Sequence, residues 1–461
     1  MIEAPAPPRG LKKDALSFSE VVAQSVANIA PSATPALIIP LVFASAGNGT
    51  WLAYAIATAA MLFMAAQINA FAKRSASPGA LSTFAALGLG PRWGAFCGWS
   101  LFLAYVFTAS ACLAGFTNYA GVVLDMVFRA RVGTGAGLAL MSGTLLLCWW
   151  IARQDVQLSA RFMLLMEFAA VGLIVVLAGL FFLRAGRLGD AAQASARGMT
   201  PQGLRMALVL ALFSFVGFES ATALGEEARD PLRSIPRSVF FSVLLVGVFF
   251  TGCAYTLTLA FRGAGMALDK SNSPLVDLAR IAGLPGFGLP LAVGALVGQF
   301  ACALASVTAA ARVMYSMSRD GFFPAAAGSV HETHATPHVA VAACAAAAGV
   351  APLALLARGT AVMDVFGYLG SLATFGFLLS YALVAVAAPL YLRGRGELGA
   401  KGIASAGLAL LFLAVPIVGS VYPAPDAPYN CLPYVFLALM AAGAARIFRL
   451  EARPAAEAAD S

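Results

Sequence analysis

Residues 27–37 read ANIAPSATPAL and lie inside a run that is otherwise apolar from Val21 to Ala46. A run of that length crosses a bilayer as a helix, because a hydrocarbon core of ~30 Å takes roughly 20 helical residues. Yet Pro31 and Pro35 stand in its middle. Each lacks an amide hydrogen and clashes with the preceding turn, so a regular helix does not run through both. Non-helical backbone at membrane depth is tolerated only when it is buried in protein or faces a water-filled cavity. The interruption therefore points to a cavity. The competing reading is a simple proline kink in a packed helix.

Composition agrees with a membrane setting. The 461-residue chain is 61% hydrophobic and 11% charged, with a mean hydropathy of +0.85, values outside the range of a water-soluble domain with a charged surface. Apolar runs recur along the whole length, which reads as one polytopic domain. The Pro-rich MIEAPAPPRG and the polar LKKDALSFSE before the first run do not fit a cleaved signal peptide, so this run is expected to be retained. The net charge of +8 is dispersed in short connectors, which argues against nucleic acid as a partner. Seven cysteines fall singly in apolar runs without a C-x-x-C pair and read as packing residues.

About twelve spans are predicted, at 19–45, 51–72, 94–127, 136–152, 160–183, 203–228, 236–261, 288–318, 338–357, 362–391, 403–421 and 430–449. An N-terminus in the cytoplasm puts 19 of the 29 Lys and Arg residues on that side, as the positive-inside bias requires. Both termini are then cytoplasmic. The connector 184–202 fits least well, with Arg184, Arg187 and Arg197 on the outer side. In the connector before the eighth span, Ser273 and Pro274 suggest the start of a short outer helix.

Five spans after the first, LVLALFSFVGFESATALGEEARDP (208–231) again interrupts an apolar run, at Gly217 and Glu219. Transporters built from inverted five-helix repeats break the first helix of each repeat at the bilayer midplane, where half-helix ends receive charged groups of the substrate. Freed N–H groups carry partial positive charge and freed C=O groups partial negative charge. Ser32, Ala33 and Thr34 thus offer N–H groups to a carboxylate, and Asn28, Ile29 and Ala30 offer carbonyls to an ammonium.

The stretch FSFVGFESATALGEEARDPLRSIPRSV from Phe213 onward, with its G-F-E, D-P and I-P-R elements, resembles the signature of the amino acid, polyamine and organocation (APC) permease superfamily. SVTAAARVMYSMSRDGFFPAAAGSVHETHATPHVA, at the end of the eighth span, is similar to the Arg helix, R-D-G turn and T-P step of the same superfamily. The resemblance implies an all-α integral membrane protein of the LeuT-like 5+5 inverted-repeat fold, with about 12 transmembrane helices of which helices 1 and 6 are broken. The repeats then run over about 19–183 and 203–391, within a core at 19–391. Two additional helices at 392–450 follow, with cytoplasmic tails at 1–18 and 451–461. It further implies a proton-coupled or exchange-type carrier with the substrate held between helices 1, 3, 6, 8 and 10.

The chain departs from that pattern in two places. A-P-S-A-T-P replaces the Gly-rich break of many relatives, and the fifth span, where proton-driven relatives carry a lysine, has Glu167 as its midspan charge.

An ionisable group at membrane depth is a functional candidate by default. Glu219 is assigned to substrate amine binding or proton coupling, against a structural bond to the first helix. Glu167 is a second coupling candidate, against pairing with Arg161 or a neighbouring helix. The resemblance makes Phe213 an aromatic gate, with Val216 and Phe218 shaping the pocket and Tyr105 and Ser306 contributing to it. Glu226, Glu227, Arg229, Asp230, Arg237, Arg312, Arg319 and Asp320 form a candidate cytoplasmic gate network, against a solvated loop.

His331, Glu332, His334 and His338 do not form H-E-x-x-H, and Pro337 interrupts any helix that would present them, so no metal is expected. GTGAG at 133–137 lacks the βαβ context of a dinucleotide loop and reads as the start of a helix.

The expectation is a secondary transporter of amino acids or related small amines in the inner membrane, working by alternating access. Its partners are a small-molecule substrate, membrane lipid and H⁺. It is not an enzyme and uses no cofactor. Two alternatives stand beside it: a polyamine or small-amine permease without carboxylate recognition, and a receptor that binds an amino acid without moving it.

Overall fold

The computed structural model describes residues 14–448, except 155, 187, 272, 332–333 and 423–426. Of the predicted tails at 1–18 and 451–461, residues 1–13 and 451–461 lie outside the described residues, as do Arg187 and Glu332. Among the described residues the protein is helical throughout, apart from an isolated parallel bridge between Leu16 and Ala228.

Among the described residues, eleven stretches are long and apolar enough to cross a membrane. The first, Phe18–Ala72, has 55 residues, which at 1.5 Å per residue far exceeds one bilayer. It divides at Gly47, whose φ of +52° turns the chain into a short 3₁₀ segment, Gly47–Gly49. Twelve crossings result.

The first crossing consists of α1 (Phe18–Ile29), a π-helical turn (Thr34–Ile38) and α2 (Ile39–Ala46). The next four contain α3 (Thr50–Ala72), α5 (Pro91–Phe128), α6 (Thr134–Ala152) and α7 (Val156–Ala185), with the short α4 (Leu81–Leu89) between α3 and α5. After α8 (Ala191–Ala194), the sixth crossing joins α9 (Pro201–Phe213) to a 3₁₀ helix, Phe218–Leu224. The remaining crossings are α10 (Pro231–Gly263), α12 (Gly288–Arg319), α13 (His338–Ala357), α14 (Val362–Gly394), α15 (Ala400–Gly419) and α16 (Leu432–Ile447), with α11 (Pro274–Ile281) before α12.

Helix starts follow local chemistry. Pro91, Pro201, Pro231 and Pro274 each open a helix, at the position where a missing N–H costs nothing. Thr200 caps α9 by accepting from the Gly203 N–H at 3.0 Å. Ser273 precedes α11 as expected, but its side chain makes no capping bond. The sequence reading left 73–93 as connector; the structure places α4 there, with Leu81 and Phe84 buried. Six cysteines are buried, whereas Cys431 is exposed and does not pack.

The long helix α5 packs along α12 and α14 at the centre of the bundle. Close approach depends on small residues: a Cβ at Gly376 of α14 would lie 2.7 Å from Ser100 O and 2.8 Å from Ala104 Cβ of α5. The connector before α9 is docked, not loose. Trp51 Nε1 donates to Gln193 O at 2.9 Å, and Arg262 pairs with Asp190. Desolvation opposes the Asp190 charge, but hydrogen bonding from Gln193 and the Arg262 guanidinium outweigh it and hold the carboxyl below its ordinary range.

Both predicted breaks are present. Pro31 disfavours helical geometry at the residue before it, and Ala30 takes the left-handed conformation with φ +51°. The chain then turns through Pro31 and Ser32 and resumes as the π turn, which closes with Ile39 N–H donating to Thr34 O. In the sixth crossing α9 stops at Phe213, Gly217 adopts φ +94°, and the continuation is 3₁₀ in place of the expected α-helix. The two breaks touch: a Cβ on Gly217 would fall 2.2 Å from Asn28 Nδ2 and 3.1 Å from Asn28 O.

Gly217→Ala is therefore expected to lower the thermal midpoint of the purified protein, through backbone strain and overpacking of about 1–3 kcal/mol each. Gly252→Ala, where a Cβ meets open space, is the control; equal midpoints for the two variants would place Asn28 away from Gly217.

Candidate functional site

Asn28, in the last turn of α1, holds three crossings together. Its Nδ2 donates to Gly217 O at 3.4 Å, its Oδ1 accepts from Ser306 Oγ at 2.6 Å, and its carbonyl accepts from Cys302 Sγ at 3.2 Å. Just before it, Ser25 Oγ donates to Phe218 O at 2.7 Å and accepts from Ala221 N–H at 3.2 Å. Ser220 Oγ returns a bond to Gln24 O at 3.1 Å. Groups released by the break in the sixth crossing are thus paired by side chains of the first.

Glu219 follows Gly217 and is fully buried. Tyr105 OH on α5 donates to its Oε1 at 2.7 Å, and Tyr381 OH on α14 donates to its Oε2. Tyr381 in turn accepts from the Gly217 N–H at 3.2 Å. A peptide N–H freed by the left-handed glycine therefore feeds a hydrogen-bond chain that ends on a carboxylate. Donors on both oxygens match an ionised, acceptor-only carboxylate. Protonation would turn one oxygen into a donor, and one tyrosine would have to rotate.

On the other side of the first break, Ser32 N–H donates to Glu167 Oε1 of α7 at 2.7 Å. Both residues are buried. Glu167 Oε2, Ser32 Oγ and Thr34 Oγ1 have no hydrogen-bond partner. Gly298 of α12 makes room for this contact, since a Cβ there would lie 1.9 Å from Ser32 Oγ and 3.0 Å from Glu167 Oε2.

These positions change several assignments. The Ser32 N–H, expected to face a substrate carboxylate, is occupied by a carboxylate of the protein itself. The Ala33 N–H is bonded to Ala30 O at 2.9 Å, and the Asn28 carbonyl to Cys302, so neither is open to substrate in this conformation. Ile29 is buried beside them. The pairing of Glu167 with a neighbouring helix is the one present, through Ser32; the Arg161 side chain lies outside the described residues.

Phe218 is buried with its ring 5.5 Å from that of Tyr381, and Val216 is also buried. Phe213 is half-buried against α14, where a Cβ on Gly370 would meet its Cζ at 2.8 Å. Tyr381, Ser25, Cys302 and Gly298 were missed by sequence reading. A tyrosine beside Ser380 in an otherwise apolar span was the available signal.

The candidate gate residues separate into unequal parts. Arg312 grips Glu227 with two bonds, Nε to Oε2 at 2.5 Å and Nη2 to Oε1 at 2.8 Å, and both side chains are buried. Arg319 lies 3.7 Å from Glu226. Arg229 Nε donates to Asp14 O at 2.9 Å, Asp230 sits 3.9 Å from Arg233, and Arg237 and Asp320 are exposed. A backbone strap closes the same end: Leu16 N–H donates to Glu227 O at 2.9 Å and Arg229 N–H to Leu16 O at 2.8 Å. The His331 ring lies 4.9 Å from that of His334, tilted by 32°, in the loop before α13.

With this geometry in view, the comparison with known families is decisive. A model of amino acid permeases matches residues 20–421. The chain belongs to the amino acid permease family. This permease is 28% identical over 337 residues to a low-affinity putrescine importer of Escherichia coli, covering 71% of each chain. It is 25% identical to a branched-chain amino acid permease of Bacillus subtilis, over 64% of this chain and 65% of the relative, just under two thirds of its length. A methylthioribose transporter of the same species is 24% identical over 83% of this chain and 81% of its own. The permease is thus a multi-pass membrane transporter of the APC type.

Breaking the buried ion pair leaves an uncompensated charge, so Glu227→Gln should destabilise the permease by about 3–5 kcal/mol. Replacing both partners by methionine should recover most of that loss in thermal unfolding; no recovery in the double variant would show that the pair acts through other contacts.

Proposed function

We propose that this permease is a secondary carrier of small amine-bearing solutes, amino acids or amines, across the cytoplasmic membrane, and that it works by alternating access coupled to H⁺. The observation that carries the reading is Glu219, a buried carboxylate at the meeting point of two broken helices. Among the described residues the buried basic side chain is Arg312, and it is committed to Glu227. Among the described residues, Glu219 and Glu167 therefore have no basic partner. A buried charge without a partner is costly, and an ammonium or a proton relieves it.

In this reading Tyr105 and Tyr381 hold Glu219 until a cation takes their place. Phe213, Val216, Phe218 and Ser306 surround the solute, and Phe213 closes over it. Ser32, Tyr105, Glu219 and Ser306 are each 0% exposed, so substrate access requires one group of helices to move against the rest. The core at 19–391 supplies the two repeats and the helices at 392–450 lie outside them. With both termini in the cytoplasm, the Arg312–Glu227 pair and the Leu16 strap form the inner gate, and inward opening separates them.

Identification of a ligand comes first, by a thermal-shift screen of amino acids and amines at two pH values; saturation at about 100 Kd adds ~2.7 kcal/mol of stability. In proteoliposomes, Glu219→Gln should abolish the pH dependence of uptake of that ligand. Wild-type pH dependence in this variant would remove Glu219 from coupling.

A further inference from the structure

The Ser32 N–H lies at the start of the second half of the first crossing, ahead of 5 π-helical and 8 α-helical residues whose peptide dipoles point toward it. Such an end attracts a carboxylate. Here the carboxylate is already in place, because Glu167 Oε1 accepts the Ser32 N–H at 2.7 Å. Pro31 and Pro35 have no N–H, and that of Ala33 is turned to Ala30 O, while the Ser32 and Thr34 hydroxyls are buried beside it without partners. The second oxygen, Oε2, and Ser32 Oγ are buried without partners over Gly298.

We propose that Glu167 is a specificity-determining residue that excludes carboxylates, so that the permease carries organic amines lacking an α-carboxylate. The inference rests on the carrier reading above and on Glu219 as the ammonium partner. A zwitterionic amino acid bringing its carboxylate to Ser32 would face a second carboxylate already seated on the Ser32 N–H, in a site where, among the described residues, the buried basic side chain, Arg312, is bound elsewhere. An amine without that group meets no such repulsion. Like charges placed together in a desolvated site discriminate by about a hundredfold or more. Gly298 leaves room for the Ser32 side chain and Glu167 Oε2, which a Cβ there would meet at 1.9 and 3.0 Å.

The test uses full-length wild-type protein and matched pairs: leucine with isopentylamine, ornithine with putrescine, phenylalanine with phenethylamine. Binding is read by thermal shift and by competition for uptake in proteoliposomes. The expected result is that the amine of a responsive pair binds about a hundredfold more tightly than its amino acid. Glu167→Ala should then reduce the preference for the amine over its amino acid at least about tenfold. Equal wild-type affinity for both members of each responsive pair would overturn the inference while leaving the carrier reading intact. So would an unchanged preference in Glu167→Ala or, if that variant fails to fold, in Glu167→Gln, which keeps the acceptor and removes the charge. Wild-type protein that binds neither member of any pair would overturn the carrier reading, and the inference with it.

Discussion

Inside hydrocarbon a peptide group has no water to bond, so each N–H and C=O released from a helix must find a partner in the protein. The centre of this permease is organised by that requirement. Pro31 and Gly217 each interrupt a crossing, and the released groups are taken up by side chains that reach across from other helices. Ser25 serves Phe218 and Ala221, Asn28 serves Gly217, Tyr381 accepts from the Gly217 N–H, and Glu167 accepts from Ser32. Each break is thereby stabilised by the other crossings, and the first, fifth, sixth, eighth and tenth are tied at one level.

The same pairing sets the electrostatics. Glu219 ends a hydrogen-bond chain that begins at a backbone amide, and Glu167 sits on the partial positive charge of a half-helix. Each carboxylate is held by donors that are neutral. Glu227 differs, because Arg312 neutralises it with two bonds in a buried site. The bundle thus separates one buried ion pair from two buried carboxylates that, among the described residues, have no basic partner.

Glycines allow these groups to meet. Gly217 and Gly298 stand where a methyl group would collide with Asn28 or Ser32, and Gly376 lets α14 lie against α5. Membrane helices gain little from apolar burial against one another, so close backbone approach and interhelical hydrogen bonds supply their cohesion.

Sequence alone determined the membrane setting, the number of crossings and the position of both breaks, because each follows from local chemistry: apolar run length, the missing N–H of proline, and a glycine next to an acidic residue. It also singled out Glu219, Glu167, Glu227 and Arg312, since charge at membrane depth is conspicuous in a chain this apolar. Only the tertiary structure decided their partners. Tyr381 lies 162 residues from Glu219, and Glu167 lies 135 residues from Ser32; no local periodicity relates positions so far apart. A tyrosine in an apolar span reads as packing until a carboxylate is placed beside it, and a freed N–H reads as a substrate site until an internal carboxylate is found on it. The short α4 and the 3₁₀ form of the second half of the sixth crossing were likewise set by packing, which overrides the weak preference of a short segment for any one helical geometry.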